Sequence, residues 1–287
     1  MTTQRGLVFA LVATAFVAAL EFWGGARSHS LALTSDAVHV CMDLFALGLA
    51  LVAAAGAARP ADPRRTFGYG RIEVLGALVN GTLLLVATIV IAYAAVRRFG
   101  APVEPHAATM AGVAAIGLAL NVCVGVVLHR QSQRDLNVRA ALFHVLGDAL
   151  GAAAVIAGGV VIALTHLAWI DPALSLFVAA IIVAGVFRVM RDATNVLLES
   201  MPGDVDASKL IDHLERIAGI SGVHDLHVWS IGSGSHALSA HVRLEDRRLS
   251  EATEVLREID RCLQVQFGIT HVTIQFECDN CPIVVRH

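Results

Sequence analysis

Six long apolar runs occupy the first two thirds of the chain, at about residues 6–26, 31–57, 73–96, 107–128, 138–165 and 168–190. Each approaches the roughly 20 residues that an α-helix needs to cross a bilayer. Past residue 202 the pattern becomes that of a soluble domain. Residues 206–218 set Leu210, Ile211, Leu214 and Ile217 on one face of a helix. Residues 223–231 and 237–244 alternate as strands do, on either side of the turn sequence GSGS. An amphipathic helix over 249–266 and a strand over 271–277 complete the series. The pattern predicts an α-helical membrane protein with six transmembrane helices in 1–202. A small cytoplasmic α+β domain of order αββαβ follows in 203–287. Such a domain has a limited core and is expected to dimerise.

Composition sharpens that division. Hydrophobic residues make up 56% of the chain and charged residues 16%, which excludes a disordered chain and argues against an ordinary soluble enzyme. Residues 1–202 hold 13 Arg/Lys and 11 Asp/Glu, whereas 203–287 hold 8 and 13, a net charge of −5. No basic run is present, so nucleic acid is not an expected partner. Glu21 within the first run, and a second run directly after it, argue against a signal peptide. Arg5, Arg59, Arg64, Arg65, Arg71, Arg130, Arg134, Arg139, Arg188 and Arg191 fall on one side of the bundle. Only Arg27, Arg97 and Arg98 fall on the other. The positive-inside rule then puts both termini in the cytoplasm, with the chain in the inner (plasma) membrane.

Against so apolar a background the charges inside the runs stand out, because an Asp at mid-bilayer costs at least roughly 2.5–3.5 kcal/mol. The second run carries Asp36, His39 and Asp43, and the fifth carries His144 and Asp148. His39–Asp43 and His144–Asp148 share a spacing of four, which stacks each pair on one helix face. Two such faces turned together supply two imidazoles and two carboxylates, a tetrahedral set suited to Zn2+. Asp43 lies about 18 Å into its helix, near the midplane, where a transport site belongs. Asp36, one turn before His39, is either a partner or proton acceptor for the ligands or a helix cap near the outer surface. Glu21 and Asn121 are expected in hydrogen bonds between helices, and Gly147, Gly151 and Ala152 in close helix approach.

The segments SHSLALTSDAVHVCMD, TFGYGRIEVLGALVN, AALFHVLGDALG, DPALSLFVAAII, LLESMP, HDLHVWSI and HVTIQFE occur in that order. With them the chain resembles the cation diffusion facilitator family over nearly its whole length, and within it the bacterial zinc-transporting branch. The resemblance implies a homodimeric divalent-metal/proton antiporter with a metallochaperone-like cytoplasmic domain. It also implies transport ligands at His39, Asp43, His144 and Asp148, with Zn2+ as cargo and as a regulatory ligand. Histidine at both first positions resembles the zinc-selective members; Asp in the first position accompanies cadmium acceptance. The chain departs from many relatives in two places. Its 129–137 loop and N-terminus are not histidine-rich. Arg65 and Tyr69 stand where some relatives bind metal in the loop before the third run, which leaves Asp62 without an expected partner.

In the soluble domain the resemblance matches a metal site at His224, His241 and Glu277, with Gln275 where a further histidine is usual. His224 and His241 fall on neighbouring strands, where they could converge with His271 and Glu277. His227 is three residues from His224, an odd separation that puts the two on opposite strand faces. Cys278 and Cys281 form a C-x2-C and are candidates to join this site. A disulfide is not expected of them in a reducing cytoplasm. Cys41, Cys123 and Cys262 read as packing residues.

The function expected is efflux of Zn2+ in exchange for protons, with other divalent cations as possible further cargo. An intramembrane metal hydrolase is the alternative, but no H-E-x-x-H occurs and four ligands leave no open position. A channel is a third reading, which a tightly binding tetrahedral site disfavours.

Overall fold

The computed structural model describes residues 3–278 apart from 102, 133–135 and 233; the side chains of 3–8, 130–132, 136–141, 143 and 144 lie outside the description. Six of the described helices are long and apolar enough to cross a membrane. They are α1 (Thr3–Ser28), α2 (Leu31–Ala57), α3 (Arg71–Gly100), α4 (Ala107–Ser132), α5 (Leu136–Thr165) and α6 (Ile170–Leu197). Then come α7 (Ala207–Glu215), β1 (Ile220–Gly232), β2 (Ser235–Leu244), α8 (Leu249–Phe267) and β3 (Ile269–Cys278). The elements expected from the periodicity are all present, with α7 ending earlier than its apolar pattern. The described residues form two compact units. One lies within Met1–Leu49 and Val79–Val189, the other within Ala50–Leu78 and Met190–His287.

In the first unit, Ala32 and Leu33 of α2 pack with Met110, Val113 and Ala114 of α4 and with Val155 and Ile162 of α5. Ala13 of α1 joins Val124 and Leu128 of α4 and Leu142 and Val145 of α5 in a second cluster. Small residues let α4 and α5 meet: a Cβ on Gly159 would stand 3.2 Å from Ala111 Cβ and 3.4 Å from the Ala107 carbonyl oxygen. Phe16, Leu150, Leu164 and Phe187 are exposed, the surface expected of helices solvated by lipid tails.

A buried carboxylate fixes the start of α2. Asp171, at the head of α6, accepts hydrogen bonds from Leu31 N (2.7 Å), Ala32 N (3.2 Å) and Ser30 Oγ (2.6 Å). Ser30 Oγ in turn accepts from Leu33 N at 3.1 Å. The first orphan amides of α2 are thus satisfied from another helix. Arg98, at the end of α3, donates to Asp171 at 3.1 Å and balances its charge.

In the second unit the sheet order is β1-β2-β3, with β1–β2 antiparallel and β2–β3 parallel. Alternation along β2 sends Leu238, Ala240, Val242 and Leu244 into a core with Leu210, Leu214, Val255, Ile259 and Leu263 of α7 and α8. Asp206 caps α7 by accepting from Ser208 N and Lys209 N. Those bonds hold its carboxyl below the usual carboxylate range, the Lys209 amide first.

The other sheet face meets the loop between α2 and α3. A Cβ on Gly70 would lie 2.8 Å from the Ile231 carbonyl oxygen, so only glycine allows this approach. Phe67 stacks edge-on against Trp229 and His271. Asp62, expected to lack a partner, instead accepts from Tyr69 Oη (2.6 Å), Arg64 N (2.7 Å) and Arg65 N (2.9 Å). Tyr69, first of these, holds the Asp62 carboxyl below its ordinary range. The loop closes through an Asp–Tyr–Arg knot, with the Arg65 guanidinium 4.8 Å over the Tyr69 ring.

Candidate metal centres

On α2, Asp36, His39 and Asp43 occupy one face as their spacing predicts. His39 Nε2 stands 3.5 Å from Asp43 Oδ2, and His39 Nδ1 is shielded from solvent without a hydrogen bond. Asp36 is 6% exposed and sits beyond the first turn of α2. Ser30 and Asp171 hold the capping role, so Asp36 is not a cap. Its Oδ1 lies 3.6 Å from where a Cβ on Gly151 of α5 would stand, and its charge is felt by Asp43 and Asp148. The backbone of α5 carries His144 one turn before Asp148; the His144 side chain lies outside the described residues.

Glu21 on α1 is 1% exposed and packs against Gly117 of α4. The expected hydrogen bond between helices does not form at its Oε2, which has no partner among the described residues. Glu21 instead lies close enough to Asp36 and Asp148 to feel both charges. Asn121 is buried on α4. A Cβ on Gly147 would meet open space, so the close approach belongs to Gly151 and Ala152.

Among the described residues, His224, His241 and Glu277 form the group whose ligand atoms all lie within 4.8 Å of one another. His224 on β1 and His241 on β2 are direct cross-strand partners, and their rings are 5.3 Å apart. Glu277 reaches in from β3, with Oε2 at 3.2 Å from His224 Nε2 and Oε1 at 2.9 Å from His241 Nδ1. Gln275 steadies the carboxylate by donating to Oε1 at 3.3 Å. His224 Nε2 and Glu277 Oε2, near one another but out of line, are shielded from solvent with no hydrogen-bond partner. Unpaired buried polar atoms converging with a carboxylate and a second imidazole fit a divalent cation of borderline softness.

Two expected members do not join this group. The parallel register places His271 opposite Ala237, four residues along β2 from His241 and roughly 13 Å away. There it packs against Phe67. Cys278 ends β3 and is not among the three residues whose ligand atoms come together. Cys281 lies outside the described residues.

His227 departs from its expected face for a physical reason. The ladder pairs His224 with His241 and His227 with Ser239, so β1 spends three residues where β2 spends two. The extra residue is a bulge, with Asp225 in the left-handed region at φ 49°. Parity is reset, and His227 shares the face of His224. Asp225 then lies between histidines, with Oδ1 at 3.0 Å from His227 Nε2 and Oδ2 at 3.6 Å from His241 Nε2. Its role was not read from the sequence, although its place in HDLH beside two histidines was the available signal.

Comparison with known proteins gives two family matches. Residues 7–198 match the cation efflux transmembrane domain, and 202–279 match the cation efflux protein cytoplasmic domain. The chain is a cation diffusion facilitator. This facilitator is 39% identical over 278 residues to the metal cation efflux system protein CzcD of Cupriavidus metallidurans, covering 97% of the chain and 88% of that relative. It is 39% identical over 261 residues to the cadmium, cobalt and zinc/H(+)-K(+) antiporter of Bacillus velezensis, covering 90% and 83%. Zinc transporter ZitB of Escherichia coli is 36% identical over 279 residues, covering 96% and 88%. Among solved structures, the metal-bound C-terminal domain of the CzcD transporter of C. metallidurans is 40% identical. That match covers 25% of this chain and 99% of that one, with a TM-score of 0.24.

Proposed function

We propose that this divalent metal cation efflux transporter exports Zn2+ from the cytoplasm in exchange for protons. The observation that carries the reading is the His39–Asp43 pair on one buried-to-half-buried face of α2, repeated in sequence at His144 and Asp148 of α5. Two imidazoles and two carboxylates make a four-coordinate set that favours Zn2+ over harder cations. A metal and a proton compete for these ligand atoms, so each cargo drives the other off. The site loads metal when it faces the cytoplasm and yields it when protons arrive from outside. Alternating access comes from one helix group rocking against another around the site. The zinc and antiport assignments agree with the names of ZitB and of the Bacillus antiporter.

In this reading residues 1–202 are the transporting bundle in the inner membrane with both termini cytoplasmic. Residues 203–287 are the cytoplasmic, dimer-forming part. His224, His241 and Glu277 hold a regulatory Zn2+ that supplies charge balance between strands and favours one arrangement of the homodimer. Asp43→Ala tests the transport site. Zinc uptake by everted vesicles should fall to background while the protein remains dimeric, and retained uptake would put the site elsewhere.

A further inference from the structure

Asp225 has a feature that the metal cluster alone does not explain. It is a non-glycine residue in the left-handed region, held there by a bulge in β1, and such a conformation persists only where the surrounding structure imposes it. Its carboxylate stands beside the imidazole nitrogen of His241 that points away from Glu277. His241 Nδ1 faces Glu277 Oε1 at 2.9 Å, and His241 Nε2 faces Asp225 Oδ2 at 3.6 Å. One ring is thus bracketed by two carboxylates, one on each nitrogen.

We infer that Asp225 is a positioning residue for the cytoplasmic metal site, the carboxylate member of a carboxylate–histidine–metal relay through His241. The inference rests on the reading of His224, His241 and Glu277 as metal ligands. An imidazole that ligates metal through one nitrogen donates its other N–H to a carboxylate or carbonyl, which fixes its tautomer and raises its basicity. Here Glu277 marks the metal side of His241, so Nδ1 is the ligand and Nε2 carries the proton toward Asp225. With metal held by Nδ1, the Nε2–H of His241 would be left to donate toward Asp225 Oδ2, 3.6 Å away.

His227 completes the device from the other side. The bulge brings it onto the same face, and its Nε2 lies 3.0 Å from Asp225 Oδ1. One carboxylate oxygen stands beside His227 and the second beside His241. The sheet register, the strained backbone and the two histidines all bear on one carboxylate.

The backbone at Asp225 also supplies the control. A residue placed there only to satisfy φ 49° is replaced best by glycine, which adopts that conformation without strain. Zinc titration of the purified full chain, in a His39→Ala, Asp43→Ala background that silences the transport ligands, reads the cytoplasmic site. Asp225→Gly should weaken zinc binding by about tenfold to a hundredfold at unchanged stoichiometry. Asp225→Asn tolerates the left-handed backbone and keeps an acceptor oxygen without the charge, so its affinity should fall between the two. An unchanged affinity in Asp225→Gly would overturn the proposal and leave Asp225 as a turn residue. His241→Ala in the same background separates the two ideas. Lost binding there with full binding in Asp225→Gly sinks the relay alone, whereas full binding in His241→Ala sinks the metal site and the relay with it.

Discussion

Asp62 illustrates how one residue can order a loop through hydrogen bonds alone. Its carboxylate is fully occupied by the Tyr69 hydroxyl and two amides, which stabilise the charged form and lower its affinity for protons. The folded value lies below the unfolded one, near 3.9. The contribution to loop order is therefore complete above that value and is lost as pH falls through the folded one. Amide hydrogen exchange at Arg64 and Arg65 should stay slow at pH 5, and Asp62→Ala should speed it at neutral pH. Equal protection in that variant would show that the Asp–Tyr–Arg knot does not order the loop. The proposed selectivity is tested at a single residue too. His39→Asp makes the transport set more anionic and less strictly four-coordinate, so cadmium transport should rise relative to zinc in vesicles. Unchanged exclusion of cadmium would contradict the ligand assignment.

Among the elements, α2 depends on a cap that it does not itself carry. Asp171→Ala removes the acceptor for Leu31 N and Ala32 N and takes from Arg98 its carboxylate partner, leaving it the His29 carbonyl. Loss of such a cap costs about 0.5–2 kcal/mol. The variant should melt at a lower temperature in detergent, while Asp171→Asn, which keeps an acceptor, should melt between it and the parent. Equal melting of Asp171→Ala and the parent would mean that α2 is held by packing alone. Zinc uptake should fall with the cap, since His39 and Asp43 follow it two to three turns on.

The same scale shows what periodicity can and cannot reveal. Helices and strands were legible because apolar residues recur at 3.6 and at 2. The His39–Asp43 stacking was legible because four residues on a helix always share a face. The face of His227 was not, because strand parity holds only while the ladder is unbroken, and a bulge is decided by pairing rather than by local sequence. The place of His271 is hidden from the sequence for a related reason. Its distance from His241 depends on the parallel register of β3, which no short-range pattern specifies. Asp171 was visible only as a residue near the head of a span, and its duty to another helix needs tertiary structure.

At the scale of the whole molecule, the scarcity of charge in the bundle gives its few carboxylates meaning. Glu21 and Asp36 are buried carboxylates on two helices, and Asp148 stands on a third, about one turn before the Gly151 that Asp36 approaches. A cluster of like charges in a low-dielectric interior is costly unless cations balance it. The proposed exchange of a divalent cation for protons would keep that balance in both directions of the cycle. The chain's belonging to the cation diffusion facilitators agrees with this economy of charge. The direct test of the account is zinc flux and internal pH measured together on the purified chain in sealed liposomes. An outward-directed zinc gradient should drive protons the opposite way, an imposed proton gradient should drive zinc, and Asp43→Ala should abolish both. Zinc movement with no counter-movement of protons would contradict the exchange at the centre of the account.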